Sequence, residues 1–338
     1  MVARTGGGCQ ALAPDNYTGY TASMNLLDRF KNGFVLLGNS FSVMRANPRL
    51  LLFPVATAAL TCVIGFLFLT PIVFQPSQHG YRTAAHWAEV GSRLVVTSEP
   101  DAVDLMKGRK QHYALSKQAL AYFALAYFLS MFLATFFNVA FVHEIFDALD
   151  GNPVSVTEGI AFALTKIKPI LMWTLFAGVI GLLIKALEER FGFFGRWVVR
   201  LIGTAWSVAS VFVIPVLVLD ERAENPIEAV KLSAGVIRKA WGEALAGYAG
   251  LQIGGVIVVT SLFVVGGLSG WAGWASQSFA PFVFGMLAWL LFAFAFTYAL
   301  GVAGQIYLCV LYRFATSGTV PPGYTPEMLG SAWTPKKA

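Results

Sequence analysis

Long apolar stretches alternate with short polar segments along the chain, and this pattern predicts helices rather than strands. Six stretches are each about 20 residues or longer and carry few charged side chains. A helix of about 20 apolar residues is long enough to cross the roughly 30 Å hydrocarbon core of a bilayer. We therefore expect six membrane-spanning helices. Their predicted bounds are about 50–74, 119–143, 169–187, 197–219, 245–268 and 282–312.

Three of these spans have features that predict local irregularity. Span six is about 31 residues long, more than a perpendicular helix needs. It should tilt, break near Gly301 or Gly304, or project from the bilayer. Pro54 and Pro71 lie in or near span one and Pro215 lies in span four, and each predicts a kink because proline removes a backbone donor.

Three further segments are amphipathic and lie outside the spans. Apolar residues recur in each of them at steps of three and four, which places them on one helical stripe. Asn152-Pro153 and Asn225-Pro226 predict the starts of the second and third helices, because Asn is a good N-cap and Pro is tolerated at the first helical position. The stripes are formed by Leu27, Phe30, Phe34, Leu37, Phe41 and Met44, by Val156, Ile160, Ala163 or Leu164 and Ile167, and by Ile227, Val230, Ala234, Ile237 and Trp241.

Each amphipathic segment is followed by two spans, which predicts a threefold unit of surface helix, span and span. In each unit a basic residue lies five positions after a small one, in the pairs Ser40 and Arg45, Ala161 and Lys166, and Ser233 and Arg238. Alignment on the Asn-Pro starts shifts the register by one residue, and an amphipathic helix before any span would have a similar appearance. The predicted fold class is an all-α, polytopic helical membrane bundle with three amphipathic surface helices on one side.

The remaining segments complete the predicted domain organisation. Residues 23–315 form a single transmembrane domain that begins with a surface helix over 23–47. Residues 75–118 form a small helical or irregular cap on the outer side. Residues 1–22 are a disordered tail, so that Met24 is an alternative native start, and 316–338 form a C-terminal tail.

Composition and charge support a membrane location. The chain is 57% hydrophobic and 12% charged, whereas soluble domains carry roughly 25% charged residues. Of the 24 Lys and Arg residues, 14 fall on the side of both termini and 10 on the other, which predicts that both termini lie in the cytoplasm. No basic cluster with interleaved aromatic residues occurs, so the bilayer is the expected partner and nucleic acid is not.

Polar residues within spans are the first functional candidates in a membrane protein. Lys185, Glu188, Glu189 and Arg190 form the densest group, and side chains three and four apart share a helix face. They form either an ion or proton site or, as we favour, a salt-bridge cluster that holds the turn between spans three and four. A deeper set forms either hydrogen bonds between helices or a polar path. This set is Asn138, Gln252 and Gln305.

Small residues at steps of four predict close helix packing. One stripe enters span five and another lies in span six, and such stripes allow helices to approach without intervening lipid. We favour packing inside the monomer over an oligomer contact. The residues are Gly242, Ala246, Gly250 and Gly254, and Ala295, Ala299 and Ala303.

Motifs of catalysis and cofactor binding are missing from the sequence. It has no HExxH, no P-loop and no GxGxxG. The three cysteines include no CxxC pair, so no zinc site is indicated. His143 ends span two beside Glu144, and we favour an interfacial residue over a proton relay. We predict no catalytic residue, no cofactor and no metal, and hence no enzyme.

Several hairpin boundaries resemble a family of uncharacterised prokaryotic six-span membrane proteins that is defined only as a domain of unknown function. The resemblance covers roughly residues 25–315 and implies a plasma-membrane protein with this hairpin order. It carries no catalytic residue over to this chain. The boundaries that carry it are Leu51–Pro54, Ile184–Arg190, Ala205–Ser207, Val213–Leu217 and the segment from Glu228 to Glu243.

The sequence therefore favours a non-catalytic membrane scaffold or an accessory subunit of a membrane assembly, which packs against itself or a larger complex. The alternative is a transporter or channel with a polar path past Asn138, Gln252 and Gln305.

Overall fold

The computed structural model describes residues 38–98, 112–191, 193–240 and 244–325, and within them the chain is almost entirely helical. A short 3₁₀ turn, Pro48–Leu51, leads into α2. Strands β1 (Val95–Ser98) and β2 (His112–Leu115) form one antiparallel pair. The helices are α1 (residues 38–46), α2 (Leu52–Val73), α3 (Ala84–Leu94), α4 (Lys117–Leu149), α5 (Val156–Thr165), α6 (Ile167–Arg190), α7 (Phe193–Ala209), α8 (Val213–Leu219), α9 (Pro226–Ala240), α10 (Ala244–Ala275) and α11 (Ala280–Ser317).

Within the described residues, six helical segments are long and apolar enough to cross a membrane, and each overlaps one predicted span. The all-α fold class is thereby confirmed. The difference lies in the cap, where β1 and β2 pair beside α3. Val95, Val96 and Thr97 are β-branched, which favours an extended backbone. The six segments are Pro48–Val73, Lys117–Leu149, Ile167–Arg190, Gly195–Leu219, Gly255–Ala275 and Ala280–Ser317.

Span four is broken where its proline predicts a kink. Residues 210–212 separate α7 from α8. Pro215 has no N–H to donate to the carbonyl of Val211, so a continuous helix would lose a hydrogen bond there. Within the break, the backbone N–H of Phe212 donates to Oγ of the buried Ser233 on α9, at 3.0 Å.

Span six is unbroken, so the predicted break near Gly301 or Gly304 is wrong. The 38 residues of α11 give a helix about 57 Å long at 1.5 Å per residue. Its second half packs inside the protein, and buried neighbours on both sides of Gly304 maintain the helical backbone. The helix ends at Gly318, which adopts a left-handed φ of 67°.

The second surface helix does not start at Asn152-Pro153, which corrects the sequence prediction. Gly151 has a φ of 81°, and the N–H of Asn152 donates to the carbonyl of Asp147 at 2.9 Å. Asn152 therefore completes the C-terminus of α4. Ser155 is the N-cap of α5, because its Oγ accepts from the N–H of Glu158.

The other two surface helices agree better with their patterns. Oδ1 of Asn225 accepts from the N–H of Ile227 at 2.9 Å, so α9 starts at Asn225-Pro226 as predicted. In α1, Phe41 is half-buried and Met44 is buried, as its stripe predicts. The earlier part of this helix, before residue 38, and the tail over 1–22 lie outside the described residues. In α5, Ala161 is exposed while Gly159 and Ala163 are buried. Ala161 is therefore not equivalent in burial to Ser40 of α1 and Ser233 of α9, and the predicted register of the repeat is wrong at this position.

A single hydrophobic cluster joins one end of these helices, and we call it the packed base. It contains buried residues of α1, α5 and α9, of the start of α2, of the first half of α6, of α4 from Phe136 onwards, of α8, and of α11 from Val302 onwards. Tyr324 also belongs to it, so the folded part continues beyond the predicted boundary at 315. All three surface helices therefore contribute to the same end of the molecule.

The α10–α11 hairpin differs from the packed base in its exposure. Ser269 of α10 meets Gly285 of α11 so closely that a Cβ on Gly285 would lie 2.5 Å from Cβ of Ser269. The indole N–H of Trp289 donates to Oγ of Ser261 at 3.1 Å. These contacts hold the two helices together, but their outward faces carry exposed large side chains such as Phe263 and Phe284.

Candidate functional site

Glu144 of α4 is the one acidic side chain that is fully buried within the described residues. The apolar run of α4 carries it into the packed base, where the surrounding positions from Thr135 to Leu149 are mostly buried. Its Oε2 accepts a hydrogen bond of 2.6 Å from the backbone N–H of Ser155. Its Oε1 has no hydrogen-bond partner in the described part of the chain. A buried polar atom without a partner is costly and calls for an explanation.

The N-terminus of α5 is positioned against this carboxylate by a glycine. A Cβ on Gly159 would lie 2.8 Å from Cγ of Glu144 and 3.0 Å from the carbonyl oxygen of Ala140. A side chain at position 159 would therefore force the two helices apart. The bond from Ser155 and the contact at Gly159 together close one side of Glu144.

His143 and Asp147 lie next to Glu144 on the same helix and are only partly buried. Nε2 of His143 is 3.4 Å from Oδ2 of Asp147. The His143 ring is stacked on Phe162 of α5, with centroids 3.9 Å apart and an interplanar angle of 5°. One nitrogen or oxygen from each of His143, Glu144 and Asp147 lies within 4.8 Å of the others. This arrangement brings one imidazole and two carboxylates to a single point at the end of α4.

Two further contacts tie the ends of helices together around this point. Arg313 of α11 pairs with Asp150, with Nη2 2.6 Å from Oδ1. Arg49, before α2, donates from Nη1 to the carbonyl oxygen of Val154 at 3.1 Å. Both cations therefore have partners other than Glu144 or Asp147. Two more buried polar atoms of the base, Oγ1 of Thr174 and Oη of Tyr307, also have no partner in the described part.

The predicted polar cluster lies elsewhere, at the far end of α6. Oε1 of Glu188 accepts from Nε of Arg200 at 2.9 Å, which links α6 to α7 across the turn. Lys185, Glu189 and Arg190 are exposed. This placement agrees with a salt bridge that holds the turn, and an exposed pair of this kind contributes about 1 kcal/mol or less.

The predicted intramembrane polar residues are not brought together by any described hydrogen bond. Asn138 of α4 and Gln305 of α11 are each half-buried. Neither forms a side-chain hydrogen bond with another described residue. Gln252 lies in the part of α10 whose side chains are outside the description.

The residues of the predicted packing stripe in span six differ in their burial. Ala303 is fully buried in the packed base, Ala299 is half-buried and Ala295 is exposed. The α10–α11 contact uses Ser269 and Gly285 instead. Gly242 lies outside the described residues, and so do the surroundings of Ala246, Gly250 and Gly254.

Glu144 and Asp147 were not predicted from the sequence to form a site with His143. A signal was present, since His, Glu and Asp stand at positions i, i+1 and i+4 at the end of an apolar span. Charged residues at a span end are ordinarily interfacial. Only its burial behind α5 distinguishes Glu144 from an ordinary interfacial residue.

A model of a protein family matches residues 118–321, and its description is a family of unknown function (DUF6159). The match covers more than half of the 338 residues and includes His143, Glu144 and Asp147. The predicted resemblance began near residue 25, so α2 and the cap fall outside the matched range. No curated protein and no solved structure matches the chain.

Proposed function

The chain belongs to this family of unknown function, and we propose from its own architecture that it is a non-catalytic integral membrane protein. In this proposal it acts as a scaffold or accessory subunit of a membrane assembly in a prokaryotic plasma membrane. The six apolar helices cross the bilayer as a polytopic bundle, and their outward faces are covered by lipid and by other protein.

The exposed apolar face of the α10–α11 hairpin is the observation that carries the proposal. Large side chains project from both helices, with exposed fractions of 74% for Phe263, 80% for Trp274 and 71% for Phe294. Apolar area in water costs roughly 25 cal/mol per Å². The helix α10 has 32 residues, which corresponds to about 48 Å of helix and is long enough to cross a hydrocarbon core. Such a face is stable in a bilayer or against another apolar surface.

The packed base supports a cytoplasmic location for both termini. α1, α5 and α9 meet in one cluster at the end where α11 and the segment to Tyr324 also lie. The excess of Lys and Arg falls on this side. The shared cluster also supports a threefold pseudo-repeat, with Ser40, Gly159 and Ser233 as the small buried residues of its three surface helices.

The exposed apolar surface supports a scaffold more directly than a transporter. The transporter alternative requires Asn138, Gln252 and Gln305 to line one path, and the side chain of Gln252 lies outside the described residues. The hairpin, in contrast, offers a long apolar surface that a second copy or a larger complex can cover.

Disulfide cross-linking in native membranes tests the proposal. The background carries Cys9→Ser and Cys62→Ser, and leaves the buried Cys309 in place. Phe284→Cys places a thiol on the hairpin face, whose side chain is 70% exposed. We expect oxidation to yield an adduct with a second copy or with another membrane protein. The matched control is Leu67→Cys on α2, with a side chain that is 60% exposed, and it should form much less adduct.

Two additional measurements decide against the proposal if they go the other way. Extraction of the chain from membranes by alkaline carbonate would show that it is not an integral protein. A monomeric mass in mild detergent, together with selective solute flux in proteoliposomes that requires Lys185 or Glu189, would favour the transporter alternative.

A further inference from the structure

We propose that His143, Glu144 and Asp147 bind a divalent transition-metal ion of the Zn²⁺ and Mn²⁺ class at the end of α4. The three residues each offer one ligand atom, and these atoms lie within 4.8 Å of one another. Side-chain rotations would bring each ligand atom to about 2.0–2.2 Å from a cation placed between them. This inference concerns a site that the proposed scaffold function does not require.

The buried carboxylate provides an observation independent of the clustering. Glu144 is fully buried, and only its Oε2 is satisfied, by the N–H of Ser155. Its Oε1 has no partner in the described part of the chain. An unpaired carboxylate in a protein interior is strongly unfavourable. A bound cation would supply the missing interaction.

The charges around the site favour a cation as well. Glu158 of α5 adds a third carboxylate to the surroundings of Glu144 and His143. Lys166 directly follows α5, and its Nζ lies 6.0 Å from the centre of the Phe162 ring, on which His143 is stacked. No Lys or Arg forms an ion pair with Glu144 or Asp147 within the described residues. Arg313 pairs with Asp150, and Arg49 donates to the carbonyl oxygen of Val154.

Access and orientation are consistent with a binding site. The side chains of His143 and Asp147 are 25% and 30% exposed, so the open side faces solvent at the base. Stacking on Phe162 restricts the His143 ring. Support of this kind around a ligand improves affinity, because the ligand is held in its binding orientation.

The ligand types select the class of metal. One imidazole nitrogen and two carboxylate oxygens suit Zn²⁺ and Mn²⁺, whereas Ca²⁺ and Mg²⁺ prefer oxygen ligands alone. Three protein ligands leave a fourth position for water. Bound metal would fix α4 to α5, since Glu144 is already bonded to the N-cap residue of α5.

Metal titration of the full chain in detergent tests the proposal. The protein is stripped with a chelator, its affinity tag is removed, and ZnCl₂, MnCl₂ and MgCl₂ are titrated by calorimetry. We expect saturable binding of one Zn²⁺ per chain, weaker binding of Mn²⁺ and none of Mg²⁺. Zn²⁺ should also raise the thermal midpoint, because it binds the folded state. Binding should weaken between pH 7.5 and pH 5.5, since a ligating histidine must be neutral.

Variants locate the site. Glu144→Gln can still accept from Ser155, and we expect it to weaken Zn²⁺ binding by about tenfold or more. His143→Gln and Asp147→Asn change partly exposed side chains and should have the same effect even if Glu144→Gln folds poorly. The control is His79→Ala, which removes another histidine–carboxylate pair, with Nδ1 3.4 Å from Oε2 of Glu89. Absence of saturable Zn²⁺ binding, or binding that survives all three variants, would overturn the proposal.

Discussion

Gly159 shows how a single residue controls the approach of two helices. Its missing Cβ allows α5 to reach Ala140 and Glu144 of α4. At Gly235 of α9, an added Cβ would meet nothing within 4 Å. The two glycines are both helical, so they differ in packing and not in intrinsic helix propensity.

We expect Gly159→Ala to lower the free energy of unfolding by about 1–3 kcal/mol, because the new methyl group overpacks the contact with Glu144. Gly235→Ala should leave the free energy unchanged or raise it by up to about 1 kcal/mol, since alanine favours a helix over glycine. Denaturant unfolding in detergent, followed by circular dichroism, measures both. Equal stability of the two variants would show that α5 and α4 are not in close contact.

Asp220, directly after α8, is a second residue with a defined environment. Its carboxylate accepts from Nε and Nη2 of Arg222 at 2.9 and 2.7 Å. The hydrogen bonds from the Arg222 side chain hold the pKa of Asp220 below its usual range, although partial burial opposes them. The pair therefore stabilises the fold while Asp220 is ionised.

This pair predicts a pH dependence of defined sign. A carboxyl group whose pKa is lowered on folding contributes stability above its unfolded pKa, and this contribution is lost as pH falls through the lowered value. Asp220→Asn should cost about 1 kcal/mol or less at pH 7, because Arg222 is largely exposed. The difference from wild type should be smaller at about pH 3 than at pH 7, because the unfolded chain is then protonated at this group while the folded pair resists protonation. Thermal unfolding at both pH values measures it, and a constant difference would contradict the assignment.

At the scale of elements, the break between α7 and α8 is stabilised from outside the span. Pro215 has no N–H for the carbonyl of Val211, and in the interrupted segment the N–H of Phe212 donates to Oγ of Ser233 on α9. The surface helix thus supplies what the interrupted helix cannot provide. Both Phe212 and Ser233 are buried, so water does not replace this bond.

Ser233→Ala should therefore lower the free energy of unfolding by about 1–3 kcal/mol, because the buried N–H of Phe212 loses its acceptor. The control is Ser207→Ala on α7, where the exposed hydroxyl bonds only to the carbonyl of Gly203 in its own helix. This control should change stability by less than about 0.5 kcal/mol. Chemical unfolding in detergent compares the two, and a similar loss in both would show that the α9 contact is unimportant.

At the scale of the whole molecule, residues 284 positions apart join the two ends of the described chain. The hydroxyls of Ser40 and Tyr324 are 3.0 Å apart and buried. Nδ2 of Asn39 donates to the carbonyl oxygen of Gly323 at 2.9 Å. Burial raises the pKa of Tyr324 to about 12, so its hydroxyl is protonated at neutral pH. The segment after α11 therefore closes the packed base against α1.

A double-mutant cycle of Ser40→Ala and Tyr324→Phe measures this closure. We expect a coupling free energy of about 0.5–1.5 kcal/mol, since each single change removes the same hydrogen bond. The matched pair Ser42→Ala and Tyr324→Phe should show no coupling, because the exposed Ser42 bonds to Gly38 instead. Additive effects in the Ser40 cycle would contradict the described contact.

Six long apolar helices were predictable from sequence because length and apolar composition are local properties of the chain. A run of about 20 apolar residues is recognisable without the tertiary structure, so the approximate positions of the six helices follow from local composition. The start of α9 at Asn225-Pro226 and the interruption before Pro215 followed from similarly local rules. These features depend on neighbours within a few positions of the chain.

Tertiary structure alone decided which polar residues are buried and which helices meet. Asn152-Pro153 has the same local signal as Asn225-Pro226, yet Gly151 turns that segment back onto α4 and leaves Ser155 as the cap. The position of Glu144 at the end of an apolar stretch is typical of an interfacial residue. Only the crossing of α5 at Gly159 removes its side chain from water. Burial depends on contacts between distant segments, and no local pattern encodes which segment will cover a given side chain.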